Sequence, residues 1–475
     1  METPFLGPAY VARSTNLADN RLINLYPEIV ETRQGKTVGA FFMTPGLDLY
    51  ATLGAGPIYG ALPMNGKLYV VSSTGVYRVT AAGAVTLLGL IPTAVAPVAM
   101  ITNGTEMAVI DGTAATLITE STGAISTIAL PFSNPIAASY QDGFGLIVEG
   151  GSQHVWSSAL RNLNSWSATA FGNADSTPNN VTAIATVRRE QWVFKTDSTE
   201  VWANYGLNNF PFQRIDGVFI ETGCAAPLSV ALLGESLIWL TQNRQGQAQV
   251  VHASGYNPVV VSTAALDHEF QSYGDVSNAF AYTHQMDGHL FYVLTFPDNN
   301  TTWVYDATAS KQLGFPCWHQ RASFVGGQLN RHWGNCFTFF DGKQLIGDYA
   351  SGNLYVYNLQ QPLDNGSPRK WVRSWRALQK PVRVPVSFTD LQIDMQTGAG
   401  MTPGADPVGV LRWSDDGGHV WSNERLSQLG GVGKYGKRIK FNRLGSTRRG
   451  SGLDRIFELS STDPFFVTLM GAELA

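Results

Sequence analysis

Short apolar runs recur along the chain in pairs. Each pair is a strand-like stretch after a turn residue, a few polar residues, and a second stretch carrying Tyr, Trp or Val. The copies are KLYVVS (67–72) with GVYRV (75–79), EMAVIDG (106–112) with ATLIT (115–119), and FGLIVEG (144–150) with HVWSS (154–158). QWVFKT (191–196) with EVWANY (200–205) and SLIWLT (236–241) with QVVHAS (249–254) follow. HLFYVLTF (289–296) with TWVYDA (302–307) and KQLIGDY (343–349) with NLYVYN (353–358) complete the series. Comparable positions are Leu68, Met107, Leu146, Trp192, Leu237, Leu290 and Leu345, at spacings of 39, 39, 46, 45, 53 and 55. A period of about 40–50 residues built of short strands predicts a β-propeller, one four-stranded sheet per blade. Asn65-Gly66, Asp142-Gly143, Asp287-Gly288 and Asp341-Gly342 precede the first run of their units. Such dipeptides favour the positive φ angles of tight hairpins. Seven units predict about seven blades, with six plus an irregular unit as the alternative. The last unit lacks an outer strand, and LDLYATL (47–53) is expected to supply it, because an open ring would expose sheet edges. The rival is a pair of β-sandwiches with accidental similarity.

The pattern changes after Asn365-Gly366-Ser367-Pro368, a polar turn cluster that reads as a boundary. Strand-like runs at 384–395, 408–416, 438–444 and 464–474 predict a separate all-β, sandwich-like domain of normal size. The expected division is 1–50 as a segment closing the propeller or contacting neighbours, 51–365 as the propeller, and 366–475 as a basic C-terminal domain.

Composition narrows the class. Only 14% of the 475 residues are charged, against about 25% in ordinary domains, while 44% are hydrophobic and 49 are Gly. That excludes a disordered chain and a coiled coil. The net charge of −4 hides an asymmetry: residues 1–368 hold 16 basic and 26 acidic side chains, a balance of −10. Residues 369–475 hold 16 basic and 10 acidic ones, a balance of +6. Opposite fields on one chain hint at a basic contact surface. Three cysteines, Cys224, Cys317 and Cys336, make no disulfide framework. METPFLGPAY shows no signal-peptide pattern, and Pro92 and Pro97 break the one long apolar run, 85–101, so no membrane-spanning segment is expected.

The candidate chemistry is sparse. Seven cations and no acid lie between 434 and 449: Lys434, Lys437, Arg438, Lys440, Arg443, Arg448 and Arg449. Such a run can hold phosphates without reading sequence, dock on an acidic partner, or stay solvated. Ser414, Asp416, Gly418 and Trp421 form S-x-D-x-G-x-x-W, which resembles the Asp-box turn of sialidases and related propellers. The resemblance implies a hairpin brace rather than a catalytic element. Glycoside cleavage would need carboxylates paired across roughly 5–10 Å, and no motif points to such a pair. Cys317, His319, His332 and Cys336 are zinc-competent types, yet the long aromatic segment between them favours ordinary core. His284 and His289 flank a turn and read as packed or surface groups. GGVGK (430–434) fails the phosphate-loop pattern, since Tyr435 stands where Ser or Thr is needed. No catalytic residue, metal or cofactor is expected, and the chain is not expected to be an enzyme.

ADNRLINLYPE (18–28), FFMTPGLDLY (41–50), the stretch from LRWSDDGGHVW to LGSTRR (411–449) and the closing STDPFFVTLMGAEL resemble the tail hub, or packaged-DNA stabilisation, proteins of short-tailed bacteriophages. The resemblance covers nearly the whole chain. It implies a virion tail component made in the host cytoplasm, without catalytic residues. It also implies a homo-oligomeric, six-fold ring or nozzle below the portal and adaptor proteins. Such a ring retains packaged DNA, holds tail fibre, spike or needle proteins, and passes double-stranded DNA without sequence specificity during ejection. The alternative function is a carbohydrate-binding or glycoside-cleaving propeller.

Overall fold

The computed structural model describes the chain apart from residues 1–2, 16–17, 31–38, 94–96, 244, 379–385, 399–404 and 448–454. Seven four-stranded antiparallel blades form the propeller. Six occupy 58–90, 99–127, 135–173, 181–220, 231–260 and 280–320 in order. The seventh combines Gly334–Phe340, Lys343–Asp348 and Asn353–Asn358 with Gly46–Thr52. The early strand runs antiparallel to Asn353–Asn358, from Thr52 opposite Asn353 to Gly46 opposite Asn358. Asp48 clamps the closure, accepting from Asn358 Nδ2 at 2.6 Å and Gln361 Nε2 at 2.8 Å.

The middle strands of each blade are buried on both faces by neighbouring blades. Leu68, Val70 and Val71 are wholly buried in blade 1, as are Leu146, Ile147 and Val148 in blade 3. This is why they read as continuous apolar runs instead of alternating ones. The four Asn-Gly and Asp-Gly turns have positive φ at both residues, as at Asn65 (49°) and Gly66 (69°). Two mirror-image central residues match the twist of the strands they join.

The C-terminal domain is a sandwich that borrows N-terminal strands. One sheet orders Leu25–Ile29, Gly39–Met43, Thr468–Leu474, Ser387–Met395 and Ile439–Ser446. The other orders Leu22–Ile23, Trp371–Arg376, Ile456–Ser461, Val408–Ser414 and Arg425–Gln428. It is continuous with blade 6, because Ile23 also pairs in parallel with Gln320 of that blade's outer strand. The expected division at 50/51 and 365/366 therefore cuts across the fold: residues 22–29 and 39–43 belong to the sandwich, and 46–52 to the propeller. Residues 1–43 carry four acids and four bases, so the balance stays at −10 for 44–368 and +6 for 369–475. A single hydrophobic cluster runs from Ile238 and Leu294 in blades 5 and 6 through Leu22 and Phe41 to Trp371, Phe457 and Leu474. Blades 5 and 6 share one core with the sandwich, and the other blades pack through clusters of their own.

Candidate docking surface and the clasp that holds it

The basic stretch occupies the edge of the five-stranded sheet and the turn before it. In Ile439–Ser446, Ile439, Phe441 and Leu444 face the core while Lys440 and Arg443 face out. A register shift lies opposite, where Phe388 pairs with Gly445 and Asp390 with Asn442. Arg443 (φ 60°) sits in this bulge, which turns its side chain to solvent. Lys434 pairs with Asp406 at 3.0 Å and Lys440 with Asp390 at 3.4 Å. Lys437, Arg438 and Arg443 make no ion pair among the described residues, so the open charge is theirs. Arg448 and Arg449 lie outside the described residues. Charges along an edge strand also deter sheet-to-sheet pairing, which is a purely structural use for the same residues.

The GGVGK loop spends its amides internally. Gly430 N donates to Asp406 Oδ1 at 2.9 Å and Gly433 N to Gly398 O at 3.1 Å.

Ser414, Asp416, Gly418 and Trp421 come together in one turn. Ser414 Oγ donates to Asp416 Oδ1 at 2.7 Å and accepts from Gly418 N at 2.9 Å. Asp416 Oδ1 accepts from Val420 N at 2.8 Å, and that bond holds the carboxyl below its ordinary pKa. Gly417 and Gly418 have φ of 73° and 90°. The Trp421 ring lies 4.5 Å from the Arg412 guanidinium. The neighbouring Asp415 grips Arg455 through two bonds, at 2.7 and 2.8 Å. Arg455 is buried against Phe388 and Trp413 and also donates to Leu444 O at 2.6 Å. The turn is thereby tied to the strand that presents Lys440 and Arg443.

Sequence reasoning missed the buried polar clasp joining the two chain ends. Glu458, 2% exposed, accepts from Arg412 Nε at 2.7 Å and from Arg21 Nη1 at 3.1 Å. Asn24, in the left-handed region (φ 56°), bonds Ala322 N, Ala322 O and Lys370 O. It stitches the N-terminal segment to blade 6 and to the interdomain connection. Arg369 pairs with Asp364 at 3.2 Å and donates to Thr44 O at 2.9 Å. Arg373, wholly buried, donates to Phe5 O and packs 4.8 Å from the Phe41 ring. Burial lowers its pKa to about 9, which leaves it charged at neutral pH. The only sequence signal for this clasp is the unusual phrase around Asn24, whose role is conformational.

The zinc-competent quartet is core. Cys317 and His319 are buried, burial lifts the Cys317 thiol to about 12, and no three His, Cys, Asp or Glu among the described residues are grouped to hold a metal. His289 bonds Asp306 at 2.7 Å, and His284 Nε2 accepts from buried Arg321 at 2.8 Å.

A seven-bladed propeller sharing its core with a strand-borrowing sandwich defines an all-β structural class. Two family models span the chain: "Bacteriophage P22 Gp10, beta-propeller" matches residues 1–361, and "Bacteriophage P22 Gp10, beta-sandwich" matches 370–474. The chain belongs to the bacteriophage P22 Gp10 family, phage tail structural proteins that assemble with other virion components. No curated protein matches it. Among solved structures it is similar to the Nup159 N-terminal domain, at 10% identity, TM-score 0.42, covering 72% of this chain and 99% of that one. It is also similar to the Neurospora crassa Pan2 WD40 domain, at 8% identity, TM-score 0.41, covering 66% and 95%. A third is the extracellular domain of BT4673 from B. thetaiotaomicron, at 9% identity, TM-score 0.44, covering 80% and 47%. None of these three likenesses bears on function.

Proposed function

We propose that the chain is one subunit of a closed, six-fold tail hub lying below the portal and adaptor proteins. Such a ring retains the packaged genome, anchors tail fibre, spike or needle proteins, and forms part of the ejection channel. The chain is made in the host cytoplasm and acts in the virion, by assembly rather than by catalysis. The observation that carries this reading is membership of one tail-protein family along both domains. The shared core supports it further: a ring of identical copies needs a heterologous interface that closes, and a rigid wedge keeps the closing angle constant.

The charge division assigns roles to the two parts. A balance of −10 on residues 44–368 repels duplex phosphates, so DNA slides without being gripped. The basic edge at Lys437, Arg438 and Arg443 docks on an acidic neighbouring protein. Reversing those three charges should weaken incorporation into tails, most at low salt and less as salt rises, because exposed ion pairs are screened. Unchanged incorporation of the reversed variant at low salt would refute the docking role.

A further inference from the structure

Two surfaces of the propeller are apolar and offer little open charge. The first is the outer edge of blade 1, the strand Val85–Leu90. Val85, Leu87 and Leu90 are 38, 54 and 67% exposed, while Leu88 packs into the cluster between blades 1 and 2. No charged residue stands between Arg78 and Glu106. An open edge recruits other strands, so edges in soluble proteins carry a charge, a proline or a cover. The sandwich edge has Lys440 and Arg443, blade 4 has Arg214 and Asp216, blade 5 has Pro258, and Ile23 covers blade 6. Val85–Leu90 has only a register shift between Leu87 and Gly89.

The second surface is one face of the propeller. Antiparallel strands put the turns from first to second and from third to fourth strand at the same end of every blade. Five successive blades, 3 to 7, expose a large apolar side chain at that end: Leu160, Tyr205, Leu232, Phe315 and Phe339, all between 44 and 60% exposed. Charge is cancelled among the turns themselves. Lys67 pairs with Glu120, Arg188 with Glu235, Arg189 with Asp142 and Lys343 with Asp341, at 2.6–3.3 Å. Side-chain bonds also tie each blade to the next at this end. They run from Asn65 Nδ2 on Gly104 O at 2.7 Å, between blades 1 and 2, round to Tyr50 OH on Thr80 O at 3.1 Å, between blades 7 and 1. The face is rigid before a partner arrives, so little order is lost on contact.

We propose that the next copy of the chain seats the blade 1 edge, Val85–Leu90, on this turn face of blades 3–7. The charge selects the partner. A face whose ion pairs cancel holds no pull on DNA or on a strongly charged protein. It fits a surface that is apolar and neutral, and the chain itself carries one at Val85–Leu90. Two different patches on one chain make the heterologous contact that closes a ring. The contact also covers the edge that a lone copy leaves open. The inference rests on the ring reading above and names its interface.

The test uses the full chain in assembled tails. A photo-crosslinking phenylalanine analogue takes the place of Phe339 in one preparation and of Leu160 in another; both positions are exposed, so the fold is kept. Illumination should join two copies of the chain, with the captured peptide inside 79–105. A product containing a different virion protein, a captured peptide elsewhere in the chain, or no product from either site would overturn the proposal. In a second arm, a chain with Leu87→Arg and Leu90→Arg competes with an equal amount of wild-type chain. It should enter tails about tenfold less often while keeping the wild-type melting temperature, because it brings unpaired charge into an apolar contact. If that variant melts early, the crosslinks decide. Equal uptake of a native-melting variant overturns this interface and leaves the ring reading standing, whereas wild-type tails holding a single copy overturn both.

Discussion

Lowering the pH should destabilise the propeller through three buried histidines. His284, His319 and His332 surround the Arg321 guanidinium between blades 6 and 7, and none is more than 4% exposed. Burial, then the charge of Arg321, holds all three well below the ordinary value of 6.5. Aromatic faces complete the setting: Phe291 and Tyr357 lie 4.8 and 5.7 Å from Arg321, and the Tyr282 and Phe337 rings lie tilted against His284 at 6.5 and 5.9 Å. Because the folded pKa values lie below the unfolded ones, the unfolded chain binds more protons below pH 6.5, and stability is lost as pH falls. Each histidine that stays neutral in the fold costs about 1.4 kcal/mol per pH unit, so three cost about 6 kcal/mol at pH 5.0. His252, also lowered by burial, adds to the loss, while Asp19, raised by burial, Asp364 and His289 oppose it. Burial raises Asp364 to about 6, so the folded state gains about 1.4 kcal/mol between pH 6 and 5. His289 is raised by its bond to Asp306 once that outweighs burial, and it acts in the same sense. The net loss should be about 4 kcal/mol between pH 8.0 and 5.0, read from guanidinium unfolding followed by tryptophan fluorescence at constant ionic strength. His319→Leu removes one such group, whose two ring nitrogens have no hydrogen-bond partner among the described residues. It should shrink the loss by about 2 kcal/mol while leaving stability at pH 8.0 equal or higher. A wild-type curve flat from pH 8.0 to 5.0, or an unchanged slope in His319→Leu, would refute the reasoning.

Other outcomes follow from the clasp, the turn and the closure. Deleting residues 1–8 removes the Phe5 carbonyl from buried Arg373 and should destabilise the sandwich by about 3–5 kcal/mol, seen as a lowered unfolding midpoint. Asp415→Ala strands the Arg455 guanidinium and should cost a similar amount, whereas Asp416→Ala should cost about 1 kcal/mol and show mainly as faster hydrogen exchange at the Val420 amide. Asp48→Ala loosens blade 7 at its seam, and exchange in Gly46–Thr52 should rise before exchange in the other blades.

The blades were legible because burial on both faces writes their middle strands as unbroken apolar runs, and because Asn-Gly and Asp-Gly mark their turns. The partition of the N-terminal segment was not. Leu22 pairs with Arg373 and Phe42 with Thr468, and nothing local at either end names so distant a partner. WVRSWR (371–376) has the alternation of a half-buried strand, but Arg373 stands between two buried tryptophans rather than in water. The basic run was visible as charge, yet its division into Lys434 and Lys440, which are ion-paired, and Lys437, Arg438 and Arg443, which make no ion pair among the described residues, depends on Asp406 and Asp390 arriving from elsewhere in the sandwich.

The central claim is that this chain works as a ring-forming tail subunit. Its most direct test is native mass measurement on the tail complex released from disrupted virions. The account predicts six copies of the chain in one closed assembly that stays attached to the portal end. A single copy, or a chain absent from that complex, would contradict it.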